Sequence, residues 1–401
     1  MARAAEAIVV GGGVNGTSTA FHLAERGIKT ILLERGGIAG ASTGKSGGLV
    51  RMHYTNPYEA RLANESLPYF QDWRHRVGVG DPGFARTGFI QTVTPRNVPA
   101  LHENVRMLQQ IGVNTCIVNG DDVRRLQPWV DTDDLIACAY EPDSGCAMPG
   151  DTARSFAQAA ERLGAEIITD ATVTALRTSG GTVTGVTTDD GDFDAPLVIV
   201  CAGVWGVPLF ADLGVELPIV PHRTQVVLFR RQGALPTGPD GHMVFIDAAL
   251  GSYFRPYGET ETLIGVRQRS RLVPSADQYD ERADAAIVAD SKQTIARRIP
   301  DMEGAAITRD WAGILDMTSD HCPILEAHLG ASGLFLAAGF SGSGFKSGPY
   351  VGQMMATWAA TGAQPTAAKP FSLARFAEDQ PIQPVHPYVD DVGEIVTSAP
   401  H

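Results

Sequence analysis

The chain has 401 residues, enough for two or three domains, and its 44% hydrophobic content supplies a sizeable core and excludes a wholly disordered chain. The formal net charge is −13 without any long lysine and arginine run, so we expect no nucleic-acid-binding surface. Glycine is over-represented: there are 44 residues where an average usage of roughly 7% would give about 28. These glycines cluster at residues 11–16, 36–48 and 339–348.

The five cysteines are odd in number and form no C-x-x-C pair, which predicts reduced thiols in a cytoplasmic protein. The same pattern disfavours a zinc or iron–sulfur site, so we expect no metal. Residues 195–211 and 347–368 carry no charge, but proline, glycine and polar residues interrupt them. We therefore expect no membrane span and, from the N-terminal pattern, no signal peptide.

The first 34 residues predict a strand, a glycine turn, a helix and a second strand. Residues 7–10 are apolar and β-branched, as in a strand buried on both faces. Residues 17–26 have a helical apolar pattern that Gly27 ends, and residues 28–33 form the next strand, with Glu34 after it. Such a βαβ unit indicates a parallel sheet.

The rest of the chain predicts further helices and strands without an internal repeat. Helices are expected at residues 56–77, 99–112, 153–164, 278–299 and 348–361. Strands are expected at residues 85–94, 165–168, 197–200 and 334–338, with a hairpin at 173–177 and 183–188. An antiparallel sheet is expected from residues 225–230, 243–247, 253–256 and 262–267.

The turn between the first strand and helix fits G-x-G-x-x-G. Gly11 suits the tight turn, Gly13 allows backbone N–H groups to approach a pyrophosphate, and Gly16 allows the helix to pack closely on the strand. The helix N-terminus favours the phosphate charges, and Glu34 is placed to accept hydrogen bonds from ribose hydroxyls. The alternative is an ordinary glycine-rich turn without a ligand. An acid at position 34 favours FAD or NAD over NADP.

Two further glycine-rich stretches bear on whether the cofactor is FAD or NAD. Residues 36–48 follow the second strand directly, and residues 339–346 follow a predicted strand near the C-terminus. A long cofactor with two ends needs several close approaches of the backbone, so this pattern favours FAD.

Several segments together resemble the D-amino-acid oxidase superfamily of FAD-dependent flavoproteins, and the similarity is greatest to its sarcosine oxidase, dimethylglycine and glycine oxidase branch. The matching segments are residues 8–34, 46–51 with Tyr54, 198–205, 311–313 with 318–320, and 339–346. The resemblance implies an α/β fold: a Rossmann-like FAD-binding domain of the glutathione-reductase type and a substrate domain with a mostly antiparallel mixed sheet. We expect the FAD-binding domain at 1–80, 145–220 and 305–378, the substrate domain at 81–144 and 221–304, and an extended tail at 379–401.

The resemblance also implies which residues contact substrate and cofactor. Arg51 and Lys346 would hold a substrate carboxylate, a task that suits a planar guanidinium, and Tyr54 and Tyr253 would line the pocket. Surface or helix-start roles are the alternatives for the two cations, and core positions are the alternative for the tyrosines. Weaker candidates are His53, Arg255, Arg267 and His321. The expected cofactor contacts are Gly11, Gly13, Val14, Asn15, Gly16, Glu34, Arg35, Ser42, Thr43, Ser46, Gly47, Gly48, Leu49, Val173, Ala202, Gly203, Trp205, Gly313, Gly342, Ser343, Gly344, Phe345 and Lys346.

The implied activity is oxidation of the C–N bond of an amino acid or N-alkyl amino acid by hydride transfer to flavin N5, which gives an imine. The expected partners are a small anionic amine or amino-acid substrate and either O2 or an electron-accepting protein; the oligomeric state stays open, a monomer or an oligomer. The alternatives are a dehydrogenase subunit that passes electrons to a partner, and a tailoring oxidase that acts on a larger metabolite.

Three positions depart from the branch. The places of covalent flavin attachment hold Gly313 and Lys45, so the resemblance predicts non-covalent FAD. The lysine that promotes reaction with oxygen in monomeric sarcosine oxidases is replaced by Leu263, for which Lys45 and Arg267 are possible substitutes. Without such a cation, we expect slow reaction with oxygen.

Overall fold

The computed structural model describes residues 3–233, 235–236, 238, 241–266, 271–389 and 395–396. Its strands, in chain order, are β1 (Arg3–Ala4), β2 (Ala7–Val10), β3 (Thr30–Leu33), β4 (Leu49–Val50), β5 (Phe89–Thr92), β6 (Cys116–Val118), β7 (Cys138–Glu141), β8 (Gly145–Cys146), β9 (Glu166–Ile168), β10 (Val173–Ser179), β11 (Thr182–Thr188), β12 (Gly191–Asp194), β13 (Leu197–Val200), β14 (Val220–Arg230), β15 (Val244–Asp247), β16 (Ser252–Tyr257), β17 (Glu261–Val266), β18 (Arg271–Leu272), β19 (Ile307–Met317), β20 (Ile324–Ala327), β21 (Leu334–Ala338), β22 (Tyr388–Val389) and β23 (Ile395–Val396).

The α-helices are α1 (Val14–Glu25), α2 (Ser42–Lys45), α3 (Pro57–Gln71), α4 (Trp73–Arg76), α5 (Val98–Gln110), α6 (Gly120–Leu126), α7 (Pro149–Arg162), α8 (Ala285–Arg298), α9 (Gly344–Thr361) and α10 (Ala374–Ala377). Short 3₁₀ helices lie at Pro95–Asn97, Gly203–Leu213, Pro300–Met302 and Thr366–Phe371. None of the helices in the described ranges combines the length and the apolar character that crossing a bilayer requires.

A six-stranded sheet in the order β20-β21-β13-β2-β3-β9 contains the predicted βαβ unit. All its neighbours pair in parallel except β20, which is antiparallel to β21. Apolar residues of α1, α7 and α9 form one core on one face of this sheet, and a four-stranded sheet, β1-β12-β11-β10, contributes to a second core on the other face. These layers agree with the expected Rossmann-like domain.

The second large sheet has the order β18-β14-β17-β16-β15-β5-β7-β6, and β19 also pairs with β14. Its neighbours are antiparallel apart from β15 and β5, which makes it the expected mostly antiparallel mixed sheet. The helix α8 packs on one face through a core of apolar side chains. The predicted domain boundary at 305 groups β19 with the FAD-binding segments, whereas its hydrogen bonds to β14 join it to this sheet.

Four predicted helices begin three or more residues from the predicted start, and the helices predicted at 17–26 and 153–164 begin at Val14 and Pro149. The helix predicted at 278–299 begins at Ala285, because Asp284 is extended and its N–H donates to Gln225 Oε1 at 2.6 Å. The helix predicted at 348–361 begins at Gly344, so Lys346 lies in its first turn. A tertiary hydrogen bond accompanies the start of α8, which the apolar periodicity of the sequence does not register.

Candidate active site

A cavity of about 620 Å³ lies where the carboxyl ends of β2, β3 and β13 meet the second sheet. Most of the predicted cofactor contacts line it: Gly11, Gly13, Val14, Asn15, Glu34, Arg35, Ser42, Thr43, Ser46, Gly47, Gly48, Leu49, Val173, Ala202, Gly203, Trp205, Gly313, Gly342, Gly344, Phe345 and Lys346. Arg51 and Tyr253 line it as well. The structure therefore brings three distant parts of the sequence to one site.

The turn after β2 is closely packed at the positions where the motif requires glycine. Gly11 has a φ of 108°, and a Cβ there would lie 2.8 Å from the carbonyl oxygen of Cys201. A Cβ on Gly16 would lie 1.9 Å from the carbonyl oxygen of Gly11. Gly16 thus supports the turn from behind and does not line the cavity among the described residues. The N-cap residue Gly13 has no side-chain cap, so the N-terminus of α1 suits an anion.

Glu34 and Asn15 flank this helix N-terminus. Glu34 accepts hydrogen bonds from the N–H groups of Gly12 at 2.6 Å and Gly36 at 2.9 Å, so it also ties the turn to the loop after β3. The buried Oδ1 of Asn15 has no hydrogen-bond partner within the described chain. A carboxylate has further lone pairs that can accept from ribose hydroxyls, as the sequence predicts.

Three side chains form a cluster at the same cavity. Arg35 pairs with Asp277 at 2.8 Å and lies over the ring of Trp205, with 4.8 Å between guanidinium carbon and ring centroid. The indole Nε1 of Trp205 donates to the same Asp277 carboxylate at 2.8 Å. Arg35 and Trp205 were expected at the cofactor, whereas no local signal in the sequence identifies Asp277.

The loop that leads into β4 lies against the second sheet. Ser42 donates to the carbonyl oxygen of Ile314 at 2.6 Å, and the hydroxyl of Thr43 accepts from the N–H of Val14 at 3.1 Å. A Cβ on Gly47 would lie 3.0 Å from the ring of Tyr253. Tyr253 is thus a wall residue next to the loop, as expected.

The turn before α9 depends on a carboxylate that the sequence analysis did not identify. Asp316, at the end of β19, lines the cavity and accepts from the N–H of Gly339 at 2.7 Å. Burial raises the pKa of Asp316 to about 6, although backbone N–H groups of this turn oppose the shift. Ser343, a predicted contact, donates to the carbonyl oxygen of Phe340 at 2.7 Å and does not line the cavity among the described residues.

Arg51 and Lys346 are buried cations at the same part of the cavity wall, with 2% and 6% of their surfaces exposed. Both approach the ring of Tyr54, at 4.6 Å from the guanidinium carbon and 5.7 Å from the ammonium nitrogen. Arg51 donates through Nη1 to the carbonyl oxygen of His53, and its Nε has no partner within the described chain. Burial and then the charge of Arg51 lower the pKa of Lys346 to about 7, while Glu59 acts in the opposite direction.

Tyr54 is buried beneath these cations and does not line the cavity among the described residues. Two weaker candidates are also buried: His53 bonds Tyr388, and Arg255 donates to the carbonyl oxygen of Gly47. His321 is exposed and does not line the described part of the cavity, and Arg267 lies outside the described residues.

The positions that depart from the resemblance also lie close to the cavity. A Cβ on Gly313 would lie 3.0 Å from the Cβ of Lys45, so the two positions face each other. The ammonium group of Lys45 pairs with Glu281 at 3.0 Å and donates to the hydroxyl of Tyr279 at 2.7 Å. Leu263 is fully buried in an apolar cluster with Val226, Leu228 and Trp311.

The residues present fit a dinucleotide such as FAD. Gly11 and Gly13 bring the backbone of the turn to the cavity wall, and the N-terminus of α1, whose N-cap residue has no side chain to accept from it, suits phosphate. The carboxylate of Glu34, which lines the cavity beside this turn, suits hydroxyl groups. The cavity then continues to the two buried cations, where a separate anion is expected.

Comparisons with known proteins agree with this geometry. The sequence pattern of the DAO family, described as FAD dependent oxidoreductase, matches residues 6–358. Sarcosine oxidase subunit beta of Rhodobacter capsulatus is 27% identical over 394 residues, which cover 94% of this chain and 89% of the relative. Human mitochondrial sarcosine dehydrogenase is also 27% identical over 394 residues, covering 93% of this chain, but the match spans only 41% of that longer protein.

Among solved structures, glycine oxidase from Geobacillus kaustophilus superposes with a TM-score of 0.80 at 26% identity, covering 93% of this chain and 99% of that one. The fold, the cofactor turn and the family match, which extends over most of the sequence, point to the same assignment. The chain belongs to the DAO family and is an FAD-dependent oxidoreductase.

Proposed function

We propose that the protein oxidises the C–N bond of an amino acid or an N-alkyl amino acid. The observation that carries this proposal is the pair of buried cations, Arg51 and Lys346, in the wall of a cavity whose other walls suit FAD. When bound, FAD supplies the acceptor for the hydride that leaves the substrate carbon, and the substrate becomes an imine.

The substrate carboxylate binds between Arg51 and Lys346. A planar guanidinium offers two parallel N–H donors to a carboxylate, and the ammonium group of Lys346 adds a second charge. Because both cations are buried, solvent screens their attraction for an anion less than at a surface. Two cations side by side repel each other, which raises the free energy of the site. A carboxylate bound between them lowers this electrostatic free energy.

The chain's residues orient the substrate and do not need to act as a strong base. With the carboxylate anchored, the amine-bearing carbon faces the cofactor, and Tyr253 limits its position from the second sheet. The amine must be neutral when the hydride leaves, because its lone pair forms the new C–N double bond.

FAD is bound without a covalent link in this proposal. Gly313 has no nucleophile, and the Lys45 ammonium is engaged by Glu281 and Tyr279. Acid precipitation of the yellow protein is expected to leave the flavin in the supernatant, measured by absorbance. Colour retained on the washed precipitate would contradict the non-covalent assignment.

A dehydrogenase is the second candidate, and the surroundings of Leu263 favour it. This side chain stands among apolar neighbours, and the ammonium of Lys45 is already paired with a carboxylate. The electrons would then pass to a protein acceptor, and sarcosine dehydrogenase and the beta subunit of sarcosine oxidase are relatives whose names agree with either route.

The proposed activity is tested by anaerobic mixing of the yellow holoenzyme with single amino acids and N-methyl amino acids. Loss of the oxidised flavin absorbance identifies a substrate, and the matching amine without a carboxylate serves as the control. We expect Arg51→Gln to raise KM for the carboxylate substrate strongly. The proposal is wrong if no amino acid or N-alkyl amino acid bleaches the flavin while a larger amine does.

A further inference from the structure

Residues 385–389, here called the C-terminal strap, return to the loop that carries Arg51. The N–H of Val385 donates to the carbonyl oxygen of Thr55 at 2.8 Å. Farther along the strap, the side chain of Asn97 accepts from the N–H of Val389 at 2.9 Å and donates to its carbonyl oxygen at 2.8 Å. The family match ends at residue 358, so the strap lies outside the matched region.

Tyr388 is the strap residue that reaches inward. Its hydroxyl lies 2.8 Å from Nε2 of His53, and the two ring planes are nearly parallel, with an interplanar angle of 3° and centroids 6.1 Å apart. Both side chains are buried, with 3% and 0% of their surfaces exposed. The other ring nitrogen of His53 has no partner in the described part of the chain, so Tyr388 supplies the hydrogen bond that this buried ring makes there.

His53 in turn contacts Arg51. The guanidinium donates to the carbonyl oxygen of His53, and both side chains lie against Phe89: the guanidinium carbon is 5.8 Å from the ring centroid, and the imidazole centroid is 6.4 Å from it. Burial, and to a lesser extent the charge of Arg51, lowers the pKa of His53 to about 3, so the ring is neutral and adds no third charge. An unbroken series of contacts therefore leads from the strap to the substrate-binding cation.

We propose that Tyr388 is a positioning residue which, through His53, holds the guanidinium of Arg51 in the orientation that binds the substrate carboxylate. This inference rests on the proposed role of Arg51. The guanidinium has a single hydrogen bond to the chain in the described residues, so its orientation depends on where the backbone of His53 lies. If the guanidinium adopts the binding orientation in only a fraction of the molecules, the apparent Kd for the carboxylate equals the intrinsic Kd divided by that fraction.

The decisive variant is Tyr388→Phe, which keeps the aromatic ring and removes the hydroxyl. Acetate, a carboxylate without an amine, is the probe, and its Kd for the yellow holoenzyme is measured from the change in flavin absorbance. Losing a hydrogen bond to a buried group is expected to weaken acetate about 5- to 30-fold. KM for N-methylglycine should rise similarly, with kcat within about twofold, because the variant alters ground-state binding of the carboxylate.

Tyr58→Phe is the matched control, since Tyr58 is 43% exposed at the start of α3 and lies outside the contact series. Asn97→Ala is a second variant that loosens the strap without touching His53, and it should weaken acetate in the same direction. If Tyr388→Phe does not fold, the acetate affinity of Asn97→Ala tests whether the strap positions Arg51. All titrations are made well below the melting temperature of each variant, so lost stability alone does not change Kd.

The variant Arg51→Gln distinguishes the carboxylate-binding role of Arg51 from the positioning role of Tyr388. If Arg51→Gln weakens acetate strongly while both strap variants keep the affinity of the unaltered protein, the positioning role is overturned and the proposed function stands. If Arg51→Gln leaves the acetate affinity unchanged, Arg51 does not bind the carboxylate. The proposed function and the positioning role of Tyr388 are then both wrong. Weaker acetate binding in the strap variants, with Tyr58→Phe unchanged, supports the positioning role.

Discussion

Arg51 and Lys346 belong to residue types that are rarely buried without a partner, and both lie close to the ring of Tyr54. Cation–π contacts with Tyr54 offset part of the cost of removing two like charges from water. The remaining free-energy cost of burying two like charges falls when an anion binds beside them. These two residues, rather than the exposed arginines, are therefore the best candidates for substrate recognition.

Replacement of Arg51 by lysine keeps the charge and removes the planar fork. We expect Arg51→Lys to raise KM for a carboxylate substrate about 10- to 100-fold, because a charged hydrogen bond contributes roughly 1.5–3 kcal/mol. Steady-state kinetics measures this, and Arg61→Lys on the exposed side of α3 is the control. An unchanged KM would remove Arg51 from the carboxylate site.

The lowered pKa of Lys346 makes carboxylate binding depend on pH. Burial, with the charge of Arg51, brings this pKa to about 7, so the ammonium form predominates below pH 7 and is lost as the pH rises. We expect acetate to bind progressively more weakly between pH 6 and pH 8.5, roughly tenfold overall as one of two cations is lost. Flavin absorbance titrations measure Kd, and acetate avoids the separate titration of a substrate amine.

Lys346→Met is the control for that pH dependence. The variant should bind acetate weakly at every pH, and the change near pH 7 should be absent. A Kd for the unaltered protein that stays constant from pH 6 to pH 8.5 would show that Lys346 does not titrate there in the holoenzyme.

Among the elements, α1 contains a glycine, Gly16, that packs against the turn bordering the cavity. We expect Gly16→Ala to weaken FAD binding about 10- to 100-fold and to lower Tm, because overpacking typically costs about 1–3 kcal/mol and the new Cβ would meet the carbonyl oxygen of Gly11. Gly37→Ala is the matched control, since a Cβ there has nothing within 4 Å. Fluorescence titration of the apoprotein with FAD measures both variants, and equal affinities would refute the packing argument.

At the scale of the whole molecule, the second sheet contributes residues to the cavity, and in the proposed function the surroundings of Leu263 decide the electron acceptor. We expect slow reoxidation by O2 and faster turnover with an artificial acceptor, because Leu263 and its described neighbours Val226, Leu228 and Trp311 are apolar, and one preorganised donor is worth about 10²–10³ in rate. Stopped-flow reoxidation of the reduced enzyme measures this directly. Lys45→Met should change the rate of reoxidation by O2 little. A decrease of about 10²–10³ in this rate would instead identify Lys45 as the cation that promotes the reaction.

The local pattern was sufficient to predict the first βαβ unit. Gly11, Gly13 and Gly16 stand at spacings that only a tight strand–turn–helix junction explains, and the structure places this junction at the cavity. The strands β5, β14, β15, β16 and β17 of the second sheet were also predicted, because their apolar pattern is a local property, whereas β6, β7, β18 and β19 were not predicted. The start of α8 was not, since Gln225, 59 residues before Asp284, sets it.

What the sequence by itself determined is the cofactor turn, the family resemblance and the identity of the candidate cations, since these depend on residue type and short spacing. Only the tertiary structure decided that Arg51 and Lys346 lie against one tyrosine, and that Asp316 holds the turn before α9. The contact of Tyr388 with His53, 335 residues apart in sequence, was decided there too. The physical reason is that burial and long-range contacts fix where a side chain points and how strongly its charge is felt, and neither property is encoded in a short window of the chain.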